Sequence, residues 1–451
     1  MTDLPQPPTH EAAPAAGGAA PAPGGPVAPA PGGASPAHPP VLPEAEAAEA
    51  GPEEVPEPVE LAALLPPLLP EDADRATLVG RVHDPAVGGP CVVAVRGDRL
   101  VDLTPLAPTV SELLERADVA AFVRSAGAER TARTFDLEEV LAATLGGHRD
   151  RPHLLAPCDL QALKACGVTF VRSMVERVIE ERAKGDRGGA AEVRARVLEA
   201  IGGRLEHLVP GSEEAARVRE VLTAEGLWSQ YLEVGIGPDA EVFTKGPVLS
   251  AVGAGAEIGV WSRSEWNNPE PELVLAVDSV GRAVGATLGN DVNLRDVEGR
   301  SALLLGKAKD NNASTAVGPF LRLFDEEFTL DDVRALDITL TITGRDGFRL
   351  ESVSSLSEIS RDPVDLVAQT IGRLHQYPDG LLLFTGTMFA PTQDRDAPGE
   401  GFTHHLGDLV RISTPRLGTL ANVVTHSETA EPWTFGIRSL MRNLAERGLL
   451  T

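Results

Sequence analysis

With 451 residues and a formal net charge of -26, the chain is long enough for more than one domain and too acidic to have nucleic acid or an anionic membrane surface as its main partner. Cys91, Cys158 and Cys166 form neither a disulfide framework nor a metal-thiolate spacing, which suits a reducing compartment. No apolar run approaches bilayer length and no basic segment precedes an apolar core at the N-terminus, so the expectation is a cytoplasmic protein without a signal peptide.

Residues 1–60 are rich in Ala, Pro, Gly and Glu and carry no aromatic residue, Lys or Arg. Such a segment buries too little apolar surface to offset chain entropy, and a disordered tail is expected. Residues 61–150 read as a small α+β domain. The runs "TLVGRVHDP", "PCVVAVRGD" and "RLVDLTP" alternate with Asp-Pro, Gly-Gly-Pro and Gly-Asp turns, and "TVSELLERAD" follows as a helix with Thr109 or Ser111 as N-cap. Residues 151–230 read as a helical connecting region, with "SMVERVIEERAKGD" and "AAEVRARVLEAI" broken by "GDRGG". In residues 231–451 the short runs "LVLAV", "ALLLG", "LDITLTITG", "LLLFTGT" and "DLVRIS" alternate with turns. Helices are expected only near "DPVDLVAQTIGRLHQY" and "RSLMRNLAERGLL". The class is therefore α+β, with a folded-over or barrel-like β core.

Within that core, "EPELVLAVDSVGRAVGATLGND" looks like a hairpin. Side chains at i and i+2 share a strand face, so Glu270 and Glu272 point the same way, and the returning strand can carry Asp291 alongside them. Two readings stand at this point. The acids line the wet face of a surface hairpin, in keeping with Pro271, which suits an edge or irregular strand. Alternatively they converge, and then they repel unless a cation sits between them. Oxygen ligands alone select a hard ion: Mg²⁺, Mn²⁺ or Ca²⁺. Arg295 and Lys307 follow at short intervals, and Thr387 lies just past an apolar run, so cations and a hydroxyl are placed to meet an organic acid.

Taken in order, these residues resemble the fumarylacetoacetate hydrolase superfamily. Its series of a Glu-x-Glu strand, an Asn-Asp-x-x-x-Arg-Asp segment and Gly-Lys reads here as Glu270-Pro271-Glu272, then Asn290-Asp291 to Arg295-Asp296, then Gly306-Lys307. Gly386-Thr387, Leu406-Gly407-Asp408, Leu417-Gly418 and Asn422-Val423-Val424 match its closing strands, so the likeness runs from roughly residue 160 to 425. The resemblance implies a mixed β-roll core and a homodimer. It also implies a divalent ion, Mg²⁺ or else Mn²⁺ or Ca²⁺, held by Glu270, Glu272 and Asp291. Arg295, Lys307, Thr387 and Ser173 would then surround a 2-oxo acid substrate.

One departure separates the chemistries within that family. Many hydrolytic members activate water with a His and a Glu on a lid; the matching run here is "GVTFVRSMVE", which keeps Glu176 but has Ser173 in the histidine's place. A serine is no base near neutral pH. The spacing of "WNNPEPE" and "GKAKDNNAS" resembles the branch that acts on 2-keto-3-deoxy sugar acids. That branch implies dehydration: the ion polarises the C2 keto group, Glu176 removes the C3 proton, Lys307 helps to stabilise the enolate, and hydroxide leaves C4. Glu176 would need its pKa raised by lid closure over an apolar site. The alternatives are hydrolytic C–C cleavage of a 2,4-diketo acid, with His404 or His405 replacing the missing base, and a non-catalytic protein that binds 2-oxo acids.

Overall fold

The "LVLAV" run has no alternation because both of its faces are covered. In the computed structural model, which describes residues 68–126, 133–183, 208–224, 226, 228–389 and 393–450, the strand Pro271–Val277 lies inside an 11-stranded sheet. Its neighbours are Ala283–Asp291 and Leu381–Phe384, both antiparallel to it. Leu273, Leu275 and Val277 face one apolar core, shared with Ile338, Leu340, Ile342, Val410 and Ile412. Val274 and Ala276 face another, shared with Val110, Leu113 and Val123. A strand buried on both sides reads as a continuous apolar run.

The large sheet runs from Thr134–Asp136 through Arg99–Asp102, Gly89–Arg96 and Leu78–Asp84 to Thr315–Leu323. It continues through the central hairpin to Leu381–Phe384, Ala162–Gly167 and Glu241–Gly246. The strands expected in residues 61–150 thus share a sheet with the acid-bearing hairpin, joined where Leu78 and Val79 pair with Arg322 and Leu321. A second, 5-stranded sheet takes the order Arg349–Ser355, Asp337–Thr343, Leu409–Thr414, Gly418–His426, Glu257–Val260. Its apolar side chains join the core on the far side of Pro271–Val277 from the helices at Val110–Leu114 and Val119–Ser125. Every described residue belongs to one unit, Pro58–Thr451. The mixed α+β architecture expected from sequence is the one observed. The tail at 1–60 and the helix expected at "AAEVRARVLEAI" lie outside the described residues.

Local chemistry explains most element boundaries. Thr109 caps its helix by accepting a hydrogen bond from the Glu112 amide at 3.0 Å, one of the two caps expected. Asp362 caps Pro363–Thr370, with proline at the first turn where its missing N–H costs nothing. Two expectations are corrected. Pro271 is not on an edge; it heads a central strand, a position that needs no further ladder donor. "ALLLG" is not a strand: Ser301 accepts from the Leu303 amide and starts a 3₁₀ turn at Ala302–Leu304, followed by a short helix at Leu305–Lys309. Leu303 is left 95% exposed, so this run has no sheet neighbour to bury it. Among the described residues no helix is long and apolar enough to cross a membrane.

One buried ion pair ties the chain's first described residues to the sheet. Arg322 grips Asp72 through both guanidinium nitrogens at 2.6 and 2.9 Å and donates to the Arg416 carbonyl at 2.9 Å. Burial works against the Asp72 carboxylate, but the Arg322 hydrogen bonds and charge win and hold its pKa below the ordinary aspartate value. Removing one partner leaves the other charge stranded, so Asp72→Ala should cost about 3 kcal/mol in chemical denaturation at neutral pH. The folded pKa is depressed, so the pair's contribution is complete above about pH 4 and shrinks as acid protonates Asp72. The gap in melting temperature between wild type and variant should therefore close below about pH 4.

Candidate metal centre

The central hairpin sets the geometry of the site. Glu272 pairs with Gly289 and Pro271 with Asn290, and the Asp291 amide donates to the Glu270 carbonyl at 3.0 Å. Glu270 and Asp291 therefore stand directly opposite each other across the ladder, with Glu272 one step along the same face. Like charges in directly opposed positions destabilise a sheet. Here all three acids are also buried, with ligand atoms within 4.8 Å of one another. The wet-face reading is excluded.

Cations compensate the charge. Lys309, itself 2% exposed, hydrogen-bonds Glu270 and reaches Asp291 Oδ2 at 3.0 Å. Arg177 bridges Glu270 Oε1 at 2.5 Å and Glu298 Oε2 at 2.6 Å. Lys245 approaches Asp291 Oδ1 at 3.1 Å. Burial opposes ionisation of Glu270, but Lys309 and Arg177 pull its pKa below the usual carboxylate range. Glu272 has no cation among its hydrogen-bond partners in the described residues, and the Lys309 charge only partly offsets its surroundings. Burial, with the charges of Asp291 and Glu270, lifts its pKa well above the ordinary value, although it accepts the Gly386 amide at 2.7 Å. That amide reaches the carboxylate because Gly386 adopts φ +91°, and a Cβ there would meet Thr169 Oγ1 at 2.0 Å. Three buried, hard oxygen donors, one of them still short of positive charge, fit a divalent ion such as Mg²⁺, Mn²⁺ or Ca²⁺.

The other residues expected in the site divide into two groups. Ser173 and Thr387 line a cavity of about 20 Å³ beside the triad, together with Arg177, Glu241, Glu298 and Lys309. Ser173 Oγ donates to the Phe170 carbonyl at 2.9 Å, and Thr387 Oγ1 to the Pro271 carbonyl at 3.0 Å. Glu176 and Arg295 are buried but do not line this cavity; they lie 3.8 Å apart, with the Arg295 guanidinium 4.2 Å above the Trp266 ring. Lys307 is the clear divergence. It is exposed, with its ammonium 4.9 Å from the Trp261 ring centroid, while Lys309 occupies the acid cluster. Residues two apart on a helix lie about 200° around its axis from one another, so only one of these lysines can face the acids. His404 and His405 are also elsewhere. His404 is buried with Nδ1 3.3 Å from Asp408, and His405 pairs with Asp396 at 2.9 Å.

Glu241, Glu298, Arg177 and Lys245 were not expected from the sequence. Glu241 had a signal: in "EVFTK", Glu241, Phe243 and Lys245 share one strand face by the same alternation that united Glu270 and Glu272. Burial, then the neighbouring Glu298 charge, pushes the Glu241 pKa up to about 7, with Arg177 and Lys309 opposing. For Lys309, burial disfavours the ammonium, yet Asp291, Glu270 and Glu298 together raise its pKa above the usual lysine value.

A two-sheet β core thus buries three carboxylates, near enough together to hold one metal ion, at the head of its central hairpin. Residues 222–425 match the family described as "Fumarylacetoacetate (FAA) hydrolase C-terminal". Among curated proteins, it is 35% identical over 184 residues to a 2-dehydro-3-deoxy-D-arabinonate dehydratase of Saccharolobus solfataricus, covering 41% of this chain and 58% of that protein. It is 34% identical over 196 residues to a "Probable 2-keto-3-deoxyxylonate dehydratase" of Haloferax volcanii, covering 43% and 63%. The matched part thus spans less than two thirds of either relative. Among solved structures, 2-keto-3-deoxy-D-arabinonate dehydratase in its apo form superposes with a TM-score of 0.53 at 21% identity, over 78% of this chain and 99% of that one. The same enzyme complexed with magnesium and 2,5-dioxopentanoate gives the same values. This likeness establishes a shared fold.

The two neighbouring lysines separate by experiment. In metal-stripped protein Lys309→Met should lose about 3 kcal/mol of stability, because Glu270 and Asp291 are left opposed without their shared cation. Lys307→Met should stay within about 0.5 kcal/mol of wild type, as surface substitutions do. Chemical denaturation of both variants in a chelating buffer checks the assignment.

Proposed function

We propose that the chain is a divalent-metal-dependent lyase that removes water from a 2-keto-3-deoxy sugar acid of the pentonate type. The observation that carries this reading is the buried, opposed Glu270–Asp291 pair with Glu272 beside it and Lys309 between them. The names of the two curated relatives support the substrate class, and the magnesium complex of the structural relative supports the ion. Ser173 stands on the cavity wall at the position where the resemblance to hydrolytic members implies a water-activating histidine, and no histidine lines this cavity among the described residues. A cytoplasmic location and a homodimer belong to the same proposal.

An ion held by Glu270, Glu272 and Asp291 supplies Lewis acidity toward the C2 carbonyl of the substrate. The chain's own groups do the rest. Arg177, the guanidinium on the cavity wall, is placed to meet the substrate carboxylate. Lys309 presents a fixed ammonium to the oxyanion that develops as the C3 proton leaves. Glu241, with a pKa about 7 from burial and from Glu298, is suited to take that proton and to return it to the departing C4 hydroxyl. The balance is the loss of one water, with no external oxidant or nucleophile. Glu241 replaces Glu176 in this role because Glu176 lies off the cavity, beside Arg295. The cavity is too small for a sugar acid, so the helix Val171–Ala183, which carries Ser173 and Arg177, must shift to admit one.

A metal-supplemented screen of 2-keto-3-deoxypentonates and hexonates against acylpyruvates, with products identified by mass spectrometry, tests the reading. A product lighter by one water from a 2-keto-3-deoxy acid is expected, with none from Glu270→Ala. Release of pyruvate from an acylpyruvate, with the sugar acids untouched, would sink it. Glu241→Gln should lower kcat by about a hundredfold or more. In wild type the rate should fall on the acid side at or below about pH 7, since the base must be unprotonated and the ion's charge lowers its pKa further. An unchanged acid limb in Glu241→Gln would assign the proton transfer to another group.

A further inference from the structure

Lys245 is a fully buried lysine outside the cavity wall, and the reaction above makes no use of it. It projects from the strand Glu241–Gly246, and its ammonium makes two hydrogen bonds and one ion pair. It donates to the Lys309 carbonyl and to Ser314 Oγ at 3.2 Å, and it sits 3.1 Å from Asp291 Oδ1. Ser314 Oγ in turn lies 2.7 Å from the same Lys309 carbonyl. One ammonium therefore fixes the end of the helix that carries Lys309 and one oxygen of a metal ligand. The other Asp291 oxygen, Oδ2, is the one that meets Lys309 Nζ on the triad side.

We infer that Lys245 is a positioning residue that restricts Asp291 to one-oxygen ligation and thereby makes the site discriminate against Ca²⁺ in favour of Mg²⁺ and Mn²⁺. The argument is chemical. Small divalent ions demand near-octahedral geometry and take carboxylates through single oxygens, whereas Ca²⁺ accepts more ligands and gains from bidentate carboxylates. A carboxylate with one oxygen committed to a buried ammonium can offer only the other. The commitment is firm because both groups are buried, so moving Oδ1 away from Nζ would break a buried ion pair. Lys309 enforces nothing of the kind, since it lies on the side that faces the other two acids. The inference rests on the metal reading proposed above.

Titration calorimetry of the full chain with Mn²⁺, Mg²⁺ and Ca²⁺ tests it, using wild type, Lys245→Met and Lys245→Gln, with Glu270→Ala as the control for the triad. Wild type should prefer Mn²⁺ to Ca²⁺, and Lys245→Met should shrink that preference by about tenfold or more, as loss of groups behind metal ligands does. Lys245→Gln, which can set a polar amide N–H beside Asp291 Oδ1, should keep most of it. A preference in Lys245→Met within about twofold of wild type, with Mn²⁺ still bound, would overturn the inference while leaving the metal site intact. Wild type that binds no divalent ion, or binds it equally in Glu270→Ala, would overturn the metal reading itself and this inference with it. If Lys245→Met does not fold, a crystal structure of Ca²⁺-loaded wild type decides. Asp291 should ligate through one oxygen with Lys245 on the other, and both oxygens on the ion would overturn the proposal.

Discussion

The structure turns on two carboxylates forced face to face. Strand pairing places Glu270 opposite Asp291, and the apolar cores on both sides of the hairpin keep water away from them. In water such a pair would cost little, but with the strand buried on both faces the repulsion has to be met by fixed positive charge. Lys309, Arg177 and Lys245 supply it, and each arrives from a different part of the chain. Lys245 stands at the outer end of the large sheet, Arg177 on the helix after Ala162–Gly167, and Lys309 on the helix that follows the hairpin. The same electrostatic demand that makes the site able to hold a metal ion thus also binds the periphery of the domain to its centre.

This arrangement assigns different work to neighbouring acids. Glu270 is held ionised by two cations, whereas Glu272, one step along the strand, has a backbone amide and no side-chain cation among its hydrogen-bond partners. Glu241 and Glu298 sit on the cavity wall, one with its pKa raised and the other gripped by Arg177. Carboxylates whose surroundings push their proton affinities apart would suit the elimination proposed above, in which some stay anionic as ligands and one carries a proton. The central hairpin is covered on both sides, so which cation reaches which acid sets each carboxylate's proton affinity within one fixed fold.

Much of this was legible in the sequence, and the failures have physical causes. Period-two alternation found the hairpin and put Glu270 and Glu272 on one face, and the turn at "DSVGR" brought Asp291 back to them. What alternation cannot show is whether a face is wet, because burial is set by helices and strands far away in sequence. Lys307 departs from the expectation because its segment is helical, and a motif spacing does not tell which of two helical lysines turns inward. "ALLLG" is too short for periodicity to distinguish helix from strand, and in the helix a two-residue offset moves the ammonium to the opposite side. Glu241 and Lys245 were visible as an alternating face of "EVFTK", yet their strand enters the site only through the parallel pairing of Ala162–Gly167 with Leu381–Phe384. No local pattern predicts that pairing. Arg177 was hidden differently, inside a helix whose charged residues suit a solvated face.

The most direct test of the account is anomalous scattering from crystals grown with Mn²⁺. A single strong peak is predicted within about 2.2 Å of one oxygen from each of Glu270, Glu272 and Asp291, a distance set by hard-ion coordination to oxygen. Density showing Lys309 still bridging Glu270 and Asp291, with no peak between the three acids at saturating Mn²⁺, would contradict it.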